Sequence, residues 1–289
     1  MSQSALRAFH LVAQSGGFTK AAQAGGVSQP TLSAQVRSLE EANGIRLFDR
    51  RGRTVALTPL GQNLHAITAR LFAAEDDAKA LLAGARNLAR GHLRVAADSA
   101  THVMPLLAEL KQRRPGLTFS LAVGNSSDVL RQVLDHAVDV AVMAKHVSDP
   151  RVHALRLRTD RLVLFVPRAH PWGSRKSVAL EALAGQDLVI RERGSITREV
   201  FEARLAEAGV KPGALVEVQT REAVREAVAA GFGIGIIFDS EFGQDPASAK
   251  LTVKGADLNV AEYVVCLEER RRLPLVRALL ELVPNGATG

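Results

Sequence analysis

From residue 60 the chain carries Leu60, Leu64, Ile67, Leu71, Ala74, Ala78, Leu81, Ala85 and Leu88, apolar positions separated alternately by four and three. That spacing is a heptad seam along one side of a helix. Thr58 suits the helix cap, Pro59 its first position, and Gly91 its end. A helix of about thirty residues spans roughly 45 Å, too long for the interior of one small domain. Its seam is too apolar to stand alone in water. The pattern therefore predicts a domain before the helix, a domain after it, and a homodimer through residues 58–90. The competing cover for the seam is the chain's own C-terminal part.

Before the seam, glycines punctuate short helices. Residues 4–14 predict a helix with Leu6, Phe9 and Ala13 inward, broken by "SGGF". Thr19 caps a short helix around "KAAQA", and "GGVS" is a tight turn. Ser28 caps the next helix, with Pro30 in its first turn and Gly44 at its end. Helix, glycine turn, helix is a helix-turn-helix pattern, whose second helix enters the major groove of DNA. Its outward residues fit that use: Gln29, Ser33 and Ala34 are small or hydrogen-bonding, and Arg37 lies one turn further on. Long charged side chains there would hold the helix away from base edges. "RRGRT" and "TVALT" then form a turn and a short strand, a basic wing for backbone phosphates; alone, "RRGR" also reads as a solvated loop.

Charge agrees with this reading. The chain has 289 residues and a net charge of +7, and residues 1–70 hold eight Lys+Arg against three Asp+Glu. Most of the positive excess thus sits on the first quarter of the chain, as nucleic-acid binding requires. The one cysteine, Cys266, leaves no internal disulfide framework or cysteine zinc site and fits a reducing cytoplasm; in "YVVCLEE" it reads as a strand-core residue. No secretory signal opens the chain, and no apolar run reaches the roughly 20 residues that span a bilayer.

Residues 6–61, "LRAFHLVAQSGGFTKAAQAGGVSQPTLSAQVRSLEEANGIRLFDRRGRTVALTPLG", resemble the LysR-type transcriptional regulators, and the likeness extends over nearly the whole chain. The resemblance implies an α+β protein in three parts. These are a winged helix-turn-helix at 1–58, a dimerisation helix at 59–90, and a two-lobed α/β effector domain at 91–289 resembling a type 2 periplasmic binding protein. Lobe I is expected at 91–160 and 266–289, lobe II at 161–265. Implied DNA contacts are Gln29, Pro30, Thr31, Ser33, Arg37, Arg50, Arg51 and Arg53. Implied partners are operator DNA, a small anionic effector, a second copy of the chain with further pairing to a tetramer, and RNA polymerase. No cofactor, metal or membrane partner is implied.

After residue 91 strands and helices alternate, which predicts a mainly parallel sheet in two lobes, with crossings near 159–161 and 261–265. Four strand-to-helix junctions share a chemistry: "DSAT" at 98–101, "GNSSD" at 124–128, "GSITR" at 194–198 and "QTREA" at 219–223. Helix N-termini favour anions. If the lobes face each other, Ser99, Ala100, Thr101, Asn125, Ser126, Ser195, Thr197 and Thr220 converge, Arg198 supplies a charge, and Glu222 meets an ammonium. The plain alternative is N-capping, and for Glu222 a favourable helix start. "GNSSDVL", "RERGSITRE", "REAVREAVAAGFGIGII", "EFGQDP" and "CLEERR" resemble the regulators associated with 2-aminoethylphosphonate catabolism, a compound with one phosphonate and one ammonium.

Enzyme signatures are missing from the sequence. "GFGIG" lacks the third glycine and leading strand of a dinucleotide site and reads as a tight turn into a buried strand. Neither GxSxG nor HExxH occurs. A free-standing solute-binding protein would carry an export signal and no DNA module.

Overall fold

A computed structural model describes residues 2–51, 54–86 and 91–284, which separate into two units, 1–87 with 135–137 and the remainder. In the first unit, α1 (Gln3–Ser15), α2 (Phe18–Gly25) and α3 (Gln29–Asn43) precede a hairpin of β1 (Phe48–Arg51) and β2 (Thr54–Leu57), and α4 (Pro59–Arg86) follows. Phe9, Val12, Leu32, Val36, Leu39 and Leu47 make its core, with Phe48 and Phe72 closing the ends. Truncating a buried Phe such as Phe9 would cost about 3–5 kcal/mol.

The local signals act largely as expected. Gly16, Gly26 and Gly44 end the three helices in the left-handed conformation. The Ser28 hydroxyl accepts from the Thr31 N–H, and Thr58 Oγ1 accepts from the Gly61 N–H at 3.0 Å. Two expectations are corrected. Gly17, not Thr19, stands at the start of α2; Thr19 instead donates its hydroxyl to Gln29 Oε1, tying α2 to α3. Gly91 does not end the long helix, whose described part stops at Arg86; Gly91 opens a strand.

The seam divides in α4. Thr68, Ala69, Phe72 and Ala73 are buried, whereas Leu60, Ile67, Leu71 and Leu82 are exposed, Leu82 by 70%. The side chains of Leu81 and Ala85, and all of Leu88, lie outside the described residues.

On the buried side, His10 and His65 stack with ring centres 5.2 Å apart, and His10 Nδ1 meets Thr68 Oγ1 at 3.2 Å. Burial, then His65 and Arg7, push His10 down to about 4. The folded chain therefore holds this ring neutral while the unfolded chain takes up a proton below its ordinary value of 6.5. Stability should fall as pH drops from 6.5 towards 4. The full shift is worth about 3 kcal/mol, and His10's partial exposure reduces this to ~1–2 kcal/mol. Urea midpoints at pH 7 and pH 5, compared with His10→Gln, measure it. An equal pH dependence in the variant would acquit His10.

The second unit contains β3 (Gly91–Ala97), α5 (Ala100–Arg113), β4 (Leu117–Val123), α6 (Ser126–Leu134), β5 (Val140–Met143), β6 (Val152–Pro167), β7 (Ser177–Ala179), β8 (Leu188–Arg191) and α7 (Ile196–Glu207). It continues with β9 (Leu215–Val218), α8 (Arg221–Ala229), β10 (Ile234–Phe238), α9 (Asp239–Phe242), β11 (Ser248–Lys254), β12 (Asn259–Leu267) and α10 (Pro274–Leu280). The strand order is β4-β3-β5-β12-β6-β10-β8-β9, with β11 pairing β6 and β7. Within each lobe the βαβ repeats are parallel: β4, β3 and β5 in lobe I, and β9, β8 and β10 in lobe II. The crossing strands are the exception to the parallel expectation. The 16-residue β6 runs through both lobes and pairs antiparallel with β12, β10 and β11.

Asn259–Glu262 of β12 pair with Arg161–Arg158 of β6, and from Tyr263 onward β12 also lies against β5. The chain is thus back in lobe I by Tyr263. Separate cores fill the lobes, around Val95, Leu110 and Val264 in one and Leu164, Phe201 and Ile236 in the other. In "GFGIG" the last two glycines serve packing: a Cβ on Gly235 would sit 2.3 Å from the Phe165 ring, and one on Gly233 2.5 Å from the Asp187 carbonyl. Cys266 is buried in β12, where burial pushes its thiol up to about 12.

Candidate functional site

The first site is the outer face of α3. Leu32, Val36 and Leu39 anchor its inner face against α1. Gln29, Pro30, Thr31, Ala34 and Arg37 are exposed together, with Ser33 half-buried beside them. Arg37 Nε holds Glu41 Oε1 at 2.6 Å, both side chains exposed. Such a surface pair is worth well under 1 kcal/mol, so the guanidinium is free to exchange Glu41 for a base or phosphate. Glu40 was not foreseen: its carboxylate accepts the N–H groups of Leu47 and Phe48 and fixes the exit towards the hairpin. Arg50 and Arg51 lie on β1, paired with Val55 and Thr54; Arg53 lies outside the described residues.

The second site lies where the two lobes meet. Ser127 donates its N–H to the Gly194 carbonyl, and Lys145 holds Glu199 at 2.8 Å. Asn125 Oδ1 caps α6 by accepting from the Asp128 N–H, and its side chain also bonds Glu192. The loops at 124–127 and 192–195 are thus brought together.

The junction residues then divide by what already occupies them. Ser99 and Ser195 precede α5 and α7, yet neither hydroxyl caps its helix. Both are buried, as is Thr197. Thr220 does cap, accepting from the Ala223 N–H, and it also bonds the Glu222 carboxylate. Ala100, Thr101, Thr220 and Glu222 are exposed. The Ser126 hydroxyl turns inward to Asp98 Oδ2 at 2.7 Å. Arg198 is engaged within lobe II by Glu202, Glu217 and the Arg191 carbonyl.

Two other arginines stand at element ends, Arg191 at the end of a strand and Arg221 at the start of a helix. Arg191 closes β8, is 5% exposed, and pairs with Glu192. Arg221 opens α8 and pairs with Glu241 at 2.6 Å. With Thr197 they border a cavity of about 10 Å³, room for at most one water. Burial opposes ionisation of Glu192, but Arg191's hydrogen bonds and charge, aided by Asn125, hold its carboxyl below the usual range. Asp98 is the reverse case. Burial raises it, despite the Ala144 N–H, Ser126 and the charge of Arg221, and its Oδ1 is buried without a partner. Sequence reasoning passed over Arg191 because it ends a strand, and Asp98 because it precedes the hydroxyl run.

Among the described residues, His102, Asp160 and Glu262 form a group of metal-ligand type. His102 Nδ1 faces Glu262 while Nε2 faces Asp160 and Ser240. Arg158 also contacts both carboxylates. The two carboxylates stand at opposite edges of one imidazole, Glu262 at Nδ1 and Asp160 at Nε2.

Residues 4–62 match the family model described as "Bacterial regulatory helix-turn-helix protein, lysR family", and residues 86–287 match "LysR substrate binding domain". The chain belongs to the LysR family. It is 30% identical to the HTH-type transcriptional activator CmpR of Synechocystis over 93% of this chain and 90% of that protein. It is also 30% identical to the RuBisCO operon transcriptional regulator of Allochromatium vinosum, over 98% of this chain and 95% of that one. In fold it matches full-length CbnR complexed with its target DNA, with a TM-score of 0.71 and 22% identity over 98% of this chain and 99% of that chain. This LysR-family chain is a DNA-binding transcriptional regulator with an effector-binding domain, not an enzyme. Among the described residues no helix is long and apolar enough to cross a membrane.

Proposed function

We propose that two copies of this regulator pair through the exposed strip of α4, set two α3 helices on a two-fold operator, and respond to a small dianion held between the lobes. Pairing of dimers into tetramers and contact with RNA polymerase belong to the same reading, as does a cytoplasmic location. The anion would be bound by Arg191, Arg221, Ser195 and Thr197 from lobe II and by Ser99 from lobe I once the small cavity between the two arginines and Thr197, which now admits at most one water, has opened. The observation that carries this is that Arg191 at the end of β8 and Arg221 at the start of α8 line one cavity together with the buried Thr197. Asp98, with a buried unpartnered oxygen, offers the acceptor for an ammonium. That pairing favours 2-aminoethylphosphonate; a carboxylate or another oxyanion is the second reading, supported by the same arginines without Asp98.

Thermal shift and calorimetry with 2-aminoethylphosphonate, phosphate, sulfate and small carboxylates test the site. A ligand at a hundred times its Kd stabilises the folded state by about 2.7 kcal/mol. No shift with any anion would remove the effector reading. On the DNA side, Arg37→Ala should cost ~1–3 kcal/mol on the operator and little on random duplex. Arg53→Ala should weaken both alike and lower the salt slope by about one. Equal losses for Arg37→Ala on both duplexes in a gel-shift titration would remove its base-reading role.

A further inference from the structure

We propose that lobe II carries a second anion site, a basic groove that takes a short polyphosphate chain, free or as the tail of a nucleotide. It uses no residue assigned above to DNA or to the effector. The groove measures about 670 Å³, a volume ordinary for a small-molecule site. One wall is the turn "RAHPWGSRK" at 168–176, which holds three cations and no acid. The other is the loop after α9 and the start of β11. Gly173 makes the first wall possible, since a Cβ there would sit 2.1 Å from the Arg168 carbonyl oxygen. The Gly173 and Arg175 N–H groups donate to the His170 and Trp172 carbonyls, and the turn sets Arg175 and Lys176 on the same groove as Arg168. The walls are tied together. Arg168 donates its N–H to the Ala247 carbonyl at 2.9 Å and its Nε to the Pro246 carbonyl at 2.7 Å, and β11 pairs with β6. The groove is therefore formed before any ligand arrives, which lowers the cost of binding.

Its charge is unbalanced. Arg168, Arg175, Lys176 and Lys250 line it, against one acid, Asp245. Asp245 is occupied within its own turn, accepting the Ser248 hydroxyl at 2.6 Å and the Ala247 N–H at 3.0 Å. Among the described residues Arg168, Arg175 and Lys176 have no carboxylate partner. Arg168 holds a neutral carbonyl, and Arg175 lies over the Trp172 ring at 5.7 Å. Lys250 pairs with Asp239, both side chains partly exposed, and such a pair exchanges readily. The exposed Arg113, Arg151 and Arg277, by contrast, each hold a carboxylate. Uncompensated cations in one concavity create a field that favours an anion of several charges. Arginine forks grip phosphate oxygens two at a time and lysines add point charges. Linked phosphates concentrate their charge as this groove does, whereas carboxylates along a peptide are spread out. Phe242, the one aromatic lining residue, is 8% exposed, so the groove offers no ring on which an unpaired base could stack.

Calorimetry of the full-length protein with inorganic triphosphate and with ATP reads the site. Both should bind; tighter binding of ATP would name a nucleotide as the source, and equal affinity the phosphate chain alone. Arg175→Gln with Lys176→Gln should weaken triphosphate binding about ten-fold or more. Arg113→Gln with Arg277→Gln removes the same charge from lobe I and should leave the affinity within about two-fold. All four side chains are exposed, so melting temperatures should hold. The DNA-binding face is basic too, and a local readout separates it from the groove. Ser174, exposed on the groove wall, is replaced in Ser174→Cys; triphosphate should slow its reaction with a neutral maleimide, while Cys266, being buried, stays unmodified. That protection should persist in Arg191→Gln, so a failed effector reading leaves this result standing. An unprotected Ser174→Cys, or equal losses in the two charge-matched pairs, would overturn the proposal. So would protection by hexaglutamate or random duplex DNA at lower concentration than triphosphate, which would give the groove to a protein or to DNA.

Discussion

Ile67→Glu combined with Leu71→Glu is expected to make the protein monomeric and to lower its affinity for a two-fold operator by about 10²–10⁴. Both residues are exposed on α4, Ile67 by 53% and Leu71 by 44%, in line with Leu60 and Leu82. Buried residues of the same helix, Thr68, Ala69, Phe72 and Ala73, point elsewhere, and Phe72 belongs to the DNA-binding core. The substitutions therefore leave that core intact while setting four carboxylates against one another in the proposed dimer. Each half-site contact survives; the gain from binding two at once does not. Sedimentation velocity measures the mass, and fluorescence anisotropy on operator and half-operator duplexes measures the affinity. A dimer that persists with all four charges would mean the strip is covered by something other than a second α4.

Elements whose signal is local were legible in the sequence. Pro59 and Thr58 start α4, Gly26 turns α2 into α3, and the alternation of strand and helix builds both lobes. What escaped was set by contacts between distant residues. Nothing near Thr19 announces that its hydroxyl serves Gln29 and not its own helix. Residues 152–159, "VHALRLRT", are the first half of β6, whose pairing partner β12 lies about a hundred residues later in the chain. The site behaves likewise. Serines and threonines before helices announce a junction, but capping and ligand-facing hydroxyls look the same in sequence. Ser195 is buried and does not cap its helix, whereas Thr220 is exposed and does.

The arginines make that distinction measurable. Arg191→Gln should reduce affinity for 2-aminoethylphosphonate or phosphate by about 30- to 3,000-fold, the 2–5 kcal/mol typical of losing one partner of a buried charged contact. Arg198→Gln, the substitution that sequence reasoning would have chosen, should leave the affinity within about two-fold. Its guanidinium bonds Glu202, Glu217 and a backbone carbonyl, so its loss should appear as a lower melting temperature, about 1–3 kcal/mol in stability. In Arg191→Gln, Glu192 keeps Asn125 but loses its cation; Arg191→Lys restores the charge without the two-pronged geometry and should recover only part of the affinity. Calorimetry on the three variants, each with its own melting curve, separates binding from folding. Full affinity in Arg191→Gln, with loss in Arg198→Gln, would move the anion to the other side of α7 and with it the whole placement of the ligand.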